Sequence, residues 1–136
     1  MQNAHSQYKE TQILTATPGQ LVVLLYEGAI KNLRIALESI EDKKKFDVVN
    51  NCLIKAQDII TELMLSLNFE ADEIANRLYS LYIYFNNKLI EANIYKDAEK
   101  IREVLNYLED LNEGWKKIAN QSVETTPTRI GLDIST

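Results

Sequence analysis

Residues 17–30 read Thr17-Pro18-Gly19-Gln20-Leu21-Val22-Val23-Leu24-Leu25-Tyr26-Glu27-Gly28-Ala29-Ile30, and this stretch decides the fold. Thr17 with Gln20 three residues on makes a capping box, and Pro18 falls at the first helical position, where its missing N–H costs nothing. Six apolar residues in a row follow, Leu21 to Tyr26. They cover most of a helix circumference, so this helix must be covered on more than one side. Within it Val22, Tyr26, Ala29, Leu33, Ala36 and Ile40 alternate spacings of four and three, which keeps one stripe facing a partner. The helix is expected to run to about Glu41.

The same spacing recurs three times downstream. Glu41 to Phe46 reads as a turn, with Asp47 as N-cap of a second helix carrying Val49, Leu53, Ala56, Ile60, Leu63 and Leu67. Asn68 to Ala71 breaks the pattern, and Asp72 caps a third helix with Ala75, Leu78, Tyr82, Phe85, Leu89 and Ala92. Asn93 to Lys96 is the next break. Asp97 then caps a fourth helix with Ile101, Val104, Leu108, Leu111, Trp115 and Ile118. Helices of matching length joined by short connections make antiparallel neighbours, so the expected fold is all-α, an antiparallel up-down-up-down four-helix bundle. Residues 17–120 form this domain. Residues 1–16 are expected to be a flexible N-terminal segment that acts as a lid, and 121–136 a disordered tail, since Val123 to Thr128 with Pro127 cannot continue a helix. Ile130, Leu132 and Ile134 alternate in that tail as a strand would.

Composition narrows the function. The 136 residues carry a net charge of −5, and 46% of them are apolar. No global positive field favours nucleic acid. The basic run Lys43-Lys44-Lys45 sits at a turn and reads as solvated. The polar residues 1–12 do not resemble a signal peptide, and the longest apolar run falls far short of the ~20 residues that span a bilayer. With one cysteine, Cys52, no intrachain disulfide forms, and a reducing cytosol is the expected compartment.

Chemistry for catalysis is missing. His5 is the one histidine; a di-metal bundle needs Glu-x-x-His on two helices, and a Cys/His zinc site needs more ligands than this chain has. There is no Gly-rich phosphate loop and no Gly-x-Ser-x-Gly elbow. Cys52 lies among apolar neighbours and reads as a packed thiol. Glu38, Glu62 and Glu109 fall on polar faces. The expectation is no enzyme, no cofactor and no metal.

Hydrophobic residues remain once each core stripe is assigned: Leu21, Leu24, Leu25 and Ile35; Val48, Cys52, Ile59 and Met64; Tyr79, Ile83 and Ile90. One by one they suit the flanks of a wide bundle core. Together they suggest grooves for amphipathic helices, with Tyr8, Ile13 and Leu14 covering part of the surface in the free protein. The expected contact set is Tyr8, Ile13, Leu14, Leu21, Leu24, Val48, Cys52, Ile59, Tyr79 and Ile83. Gly28 and Gly114 interrupt helices at about 1 kcal/mol each against alanine. Gly28 either approaches a neighbour or ligand closely or is simply tolerated.

The order Tyr8, Thr15-Ala16-Thr17-Pro18 and Leu24-Leu25-Tyr26-Glu27-Gly28-Ala29-Ile30 resembles the flagellin-specific export chaperones, the FliS family. The likeness continues through residues 53–63, Ser66-Leu67-Asn68, Leu78-Tyr79-Ser80-Leu81-Tyr82 and Leu89-Ile90-Glu91-Ala92-Asn93, covering about residues 4 to 119. Thr17-Pro18-Gly19 departs from the usual serine-proline-acidic start. The resemblance implies a cytosolic chaperone that binds the C-terminal, unfolded segment of flagellin, prevents early polymerisation and presents the client to the flagellar export gate. It also implies that the segment with Tyr8 lies over part of the groove and moves when the client arrives. A client-free bundle that homo-oligomerises through the same stripes is the rival reading.

Overall fold

The computed structural model of the chain describes residues 15–68 and 73–122. Thr17 caps the first helix as its sequence requires: its hydroxyl accepts from the Gln20 N–H at 3.2 Å, and the Gln20 side chain accepts from the Thr17 N–H at 3.0 Å. Helix α1 spans Pro18–Ser39. A single turn of 3-10 helix, Lys43–Lys45, follows, with the Asp42 carboxylate accepting from the Lys44 N–H. Helix α2 spans Phe46–Leu65. Asp47 is therefore not the N-cap. The Asp42-capped turn delivers the chain into helix two residues early, with Lys45 at the N-cap, and Asp47 instead places its charge in the first turn, where the helix dipole favours it.

Helix α3 spans Glu73–Tyr95 and helix α4 spans Ala98–Ser122. Between them the chain reverses at Lys96, whose φ of 50° is in the left-handed region that usually selects glycine. The Asp97 N–H reaches back to the Ala92 carbonyl at 3.0 Å, closing a Schellman turn. Lys96 stands at the glycine position with its ammonium bonded back to the end of α3. It donates to the Asn93 carbonyl and Asn93 Oδ1, both at 2.6 Å, and lies 5.6 Å above the Phe46 ring. Asp97 caps α4 as expected, accepting from the Glu99 N–H at 3.0 Å. Residues 1–14 of the expected lid, with Tyr8, Ile13 and Leu14, the Asp72 cap and the tail beyond Ser122 lie outside the described residues.

Each helix packs on two others, in the ring order α1, α2, α3, α4. Pairing of Asn50 with Asn93 and of Thr61 with Asn86 makes α2 and α3 antiparallel; Glu91 with Lys100 and Tyr84 with Glu103 do the same for α3 and α4. This is the up-down-up-down bundle. Contacts of α1 with α2 and α4 are more extensive than those of α3 with the same two helices.

The stripes expected in α1, α2 and α3 are all buried, Val22 to Ile40, Val49 to Leu67 and Ala75 to Ala92. In α4 the face is turned: Leu111 and Ile118 are only partly covered, and Leu105, Asn112 and Ala119 are buried in their stead. A helix of 3.6 residues per turn accommodates either spacing. The tighter contact with α1 selects the one that leans toward it. At the centre, Tyr26 from α1 and Tyr82 from α3 meet across the diagonal, hydroxyl to hydroxyl at 2.6 Å. The Trp115 ring of α4 lies 6.1 Å from Tyr26.

The two helical glycines differ. A Cβ on Gly28 would lie 3.3 Å from Ile59 Cδ1, so Gly28 marks a close approach of α1 to α2. A Cβ on Gly114 meets nothing within 4 Å. Gly114→Ala is therefore expected to stabilise the fold by about 0.5–1 kcal/mol, the helix-propensity difference undiluted by a clash. Urea unfolding reads this directly; an unchanged or lowered midpoint would refute it.

Candidate functional site

The expected contact residues that are described are divided among three of the bundle's seams. The seam between α2 and α3 holds Tyr79 and Ile83, both exposed, the latter by 36%. On α3, spacings of four and three place Tyr79, Ile83, Asn86, Ile90 and Asn93 in one row. On α2, Asn50, Ile54, Gln57 and Thr61 form the facing row. Asn93 Nδ2 donates to Asn50 Oδ1 at 2.8 Å, and Asn86 Nδ2 to Thr61 Oγ1 at 3.2 Å. These amides tie the floor of the seam, while Ile54, Tyr79, Ile83 and Ile90 stand above it, exposed. At the upper end a 260 Å³ cleft is walled by Ile54, Ile90 and Ile94. Ile94, 68% exposed, and Tyr95, 74%, crown it at the Lys96 turn.

The α1–α2 side holds other members of the set. Ile59 is turned into the notch at Gly28 and packs on the core. Cys52, 8% exposed, belongs to the core itself, its thiol free. Val48 is exposed near the α2 start, and Leu21 is half-buried on α1. Leu24 faces neither of these seams. It lines a 460 Å³ cleft between α1 and α4, together with Val23 and Ala119. One stretch of surface does not unite the expected residues.

Ile54, Ile94, Tyr95, Leu65 and Ile74 were missed by the stripe reading, although all are exposed. Ile54 adjoins the core residue Leu53 in sequence, and its place in a row of amides hid it. Its signal was an aliphatic residue at the spacing of Asn50 and Gln57, opposite Ile90.

The α3–α4 side is ionic. Tyr84 donates to Glu103, which holds the phenol above its usual pKa, and Lys88 lies 5.2 Å over the Tyr84 ring. Lys100 donates to Glu91 at 3.0 Å; the bond lowers the Glu91 pKa and raises that of Lys100. These pairs are exposed and contribute little to stability. Burial raises the pKa of both Tyr26 and Tyr82, so the central pair is neutral at physiological pH. Among the described residues no group of three or more His, Cys, Asp or Glu side chains is placed to hold a metal, and no helix is long and apolar enough to cross a membrane.

Comparison with known proteins follows the same lines. The family profile described as flagellar protein FliS matches residues 1–122. The chain is 37% identical over 117 residues to the flagellar secretion chaperone FliS of Bacillus subtilis (strain 168), covering 86% of each. To the Salmonella typhimurium protein of the same name it is 37% identical over 114 residues, 81% of this chain and 82% of that one. The Vibrio cholerae protein is 27% identical over 124 residues, 90% of each.

Proposed function

The chain belongs to the FliS family of flagellar secretion chaperones, not to an enzyme family, and from that premise we propose that its client is the C-terminal segment of flagellin. Held on the bundle in the bacterial cytosol, that segment is kept from polymerising and is presented to the export gate. The observation that carries this reading is the row of exposed Ile54, Tyr79, Ile83 and Ile90 along the α2–α3 seam. An amphipathic helix laid there would bury its apolar face between them, reading them as anchors at helical spacing. Val48, Leu21, Leu24 and Ile59 remain proposed contacts of other parts of the client, which wraps more than one seam. Cys52 acts there only through the wall that it supports, and Tyr8, Ile13 and Leu14 as the lid.

Binding of this kind couples to folding. A disordered segment gives up a few kcal/mol on ordering and recovers it by burying on the order of 1,000–3,000 Å². Titration calorimetry of the full chain with a peptide of flagellin's last ~40–60 residues, long enough for helices along a bundle of this length, tests the reading. The expected result is a complex with a negative heat-capacity change and helix content above the sum of the parts. A concentration-independent oligomer that ignores the peptide would instead favour the client-free bundle.

A further inference from the structure

The two facing rows of the α2–α3 seam hold no charged side chain, and charge enters only at the upper end. There Lys96 is the one charged residue lining the 260 Å³ cleft, whose other walls are isoleucines and amides. Two observations mark this lysine. Among the described residues it is the one non-glycine with a positive φ, 50°, a conformation that costs an ordinary residue about 1–2 kcal/mol. Strain of this kind collects at ligand clamps. Its ammonium is also held in place. Two of its three N–H groups go to the Asn93 carbonyl and Asn93 Oδ1, and the charge rests over the Phe46 ring. None of the ion pairs among the described residues includes it. A half-buried, fixed cation without a carboxylate stands out in a chain of net charge −5. The described chain stops at Thr15, Asn68, Glu73 and Ser122, all at the opposite end of the antiparallel bundle, about 30 Å away along helices of this length. Described residues alone line the cleft.

We propose that the cleft at Lys96 binds the terminal carboxylate of the client, whose last helix then lies in the α2–α3 seam with its C-terminus upward, parallel to α3. This rests on the flagellin reading for the identity of the peptide, and adds its direction and its end point. The remaining Lys96 N–H gives a carboxylate a charge-assisted hydrogen bond, stronger than one between neutral groups. Ile54, Ile90 and Ile94 receive the last apolar side chain. The final carbonyls of any helix lack an intrahelical partner, and the Gln57 amide on the cleft wall is a donor for them. The negative end of the helix dipole points the same way as the carboxylate, toward the ammonium. A helix laid in the opposite direction would set its positive end against Lys96. Along the rest of the seam the uncharged rows disfavour a charge on the helix face, which would be buried there without a partner.

The test is made with two forms of one peptide. Flagellin's last ~40–60 residues are synthesised as the free acid and as the C-terminal amide, and each is titrated calorimetrically into the full chain. The amide is expected to bind about tenfold more weakly, the loss of one hydrogen bond to a charged group. Lys96→Gly removes the ammonium and suits the backbone of that turn, so the fold is kept. This variant is expected to bind both peptides alike, as weakly as the wild-type chain binds the amide. Equal affinity of acid and amide for the wild-type chain overturns the proposal and leaves the flagellin reading in place. If Lys96→Gly then weakens both, the cleft holds an acidic side chain in place of the terminus. A preference for the acid that survives Lys96→Gly also overturns it, because the carboxylate is then read elsewhere. Failure of both peptides to bind the wild-type chain removes the flagellin reading and this proposal together.

Discussion

Replacing Tyr82 with alanine is expected to lower the unfolding free energy by about 3–5 kcal/mol, in the range for buried aromatic truncations. Tyr82 is fully buried, packs 6.3 Å from Phe85, and carries the hydroxyl bond to Tyr26 that crosses the bundle from α3 to α1. Tyr82→Phe separates the hydroxyl from the ring. It takes the Tyr82 partner from the buried Tyr26 hydroxyl and leaves it only the neighbouring Trp115 indole, at about 1–3 kcal/mol, whereas the double change Tyr26→Phe with Tyr82→Phe removes both hydroxyls and is expected to cost less than the single one. A double-mutant cycle by urea unfolding reads the difference. If the double variant is as unstable as the two single losses added, the hydroxyls are not coupled. The pair also sets an alkaline limit. Burial raises both phenol pKa values in the folded state, so the folded chain holds protons that the unfolded chain releases above about pH 10. Stability from this source is complete below pH 10 and falls as pH rises beyond it. In the double phenylalanine variant that fall should flatten.

Ile83→Asp and Ile90→Asp are each expected to weaken capture of the flagellin C-terminal peptide by about 30-fold or more, the loss typical of a binding hot spot. Both side chains are exposed in the α2–α3 row, so a carboxylate there remains solvated in the free protein and the helix signal should be preserved. In the complex the same charge would be buried without a partner. Ile59→Asp makes a useful contrast. Ile59 fills the notch at Gly28, and a charge at that point should reduce stability together with binding. Wild-type affinity in both the Ile83 and Ile90 variants would place the client elsewhere.

The fold was legible because each helix announces itself by local rules. The Thr17–Gln20 box, the Asp97 cap and the four-three spacing of three core stripes depend on neighbours within a turn or two. The α4 stripe was read in phase at Ile101, Val104, Leu108 and Trp115, but Leu111 and Ile118 are only partly covered while Asn112 and Ala119 are buried, since both neighbours suit a helix of that period and the tighter grip of α1 chooses between them. The site was harder. Leftover apolar residues can be counted from sequence, but which seam receives them depends on which helix stands alongside. Leu24, Ile59 and Ile83 look alike in the chain and end on three different surfaces. Ile54 and Ile90, far apart in sequence, form the walls of one.

The unequal packing of the helices has a mechanical consequence. The pairs made by α1 are broad, and those made by α3 are slighter, so the bundle has a stiff half and a compliant half. A partner wedging into the α2–α3 seam works against the compliant half, and the amide links of Asn50 with Asn93 and Thr61 with Asn86 are what it has to stretch. Beneath them the Tyr26–Tyr82 bond acts as a single pivot. Helix α3 is thus the element expected to shift when a bulky guest enters that seam, with its middle held by the Tyr26–Tyr82 bond.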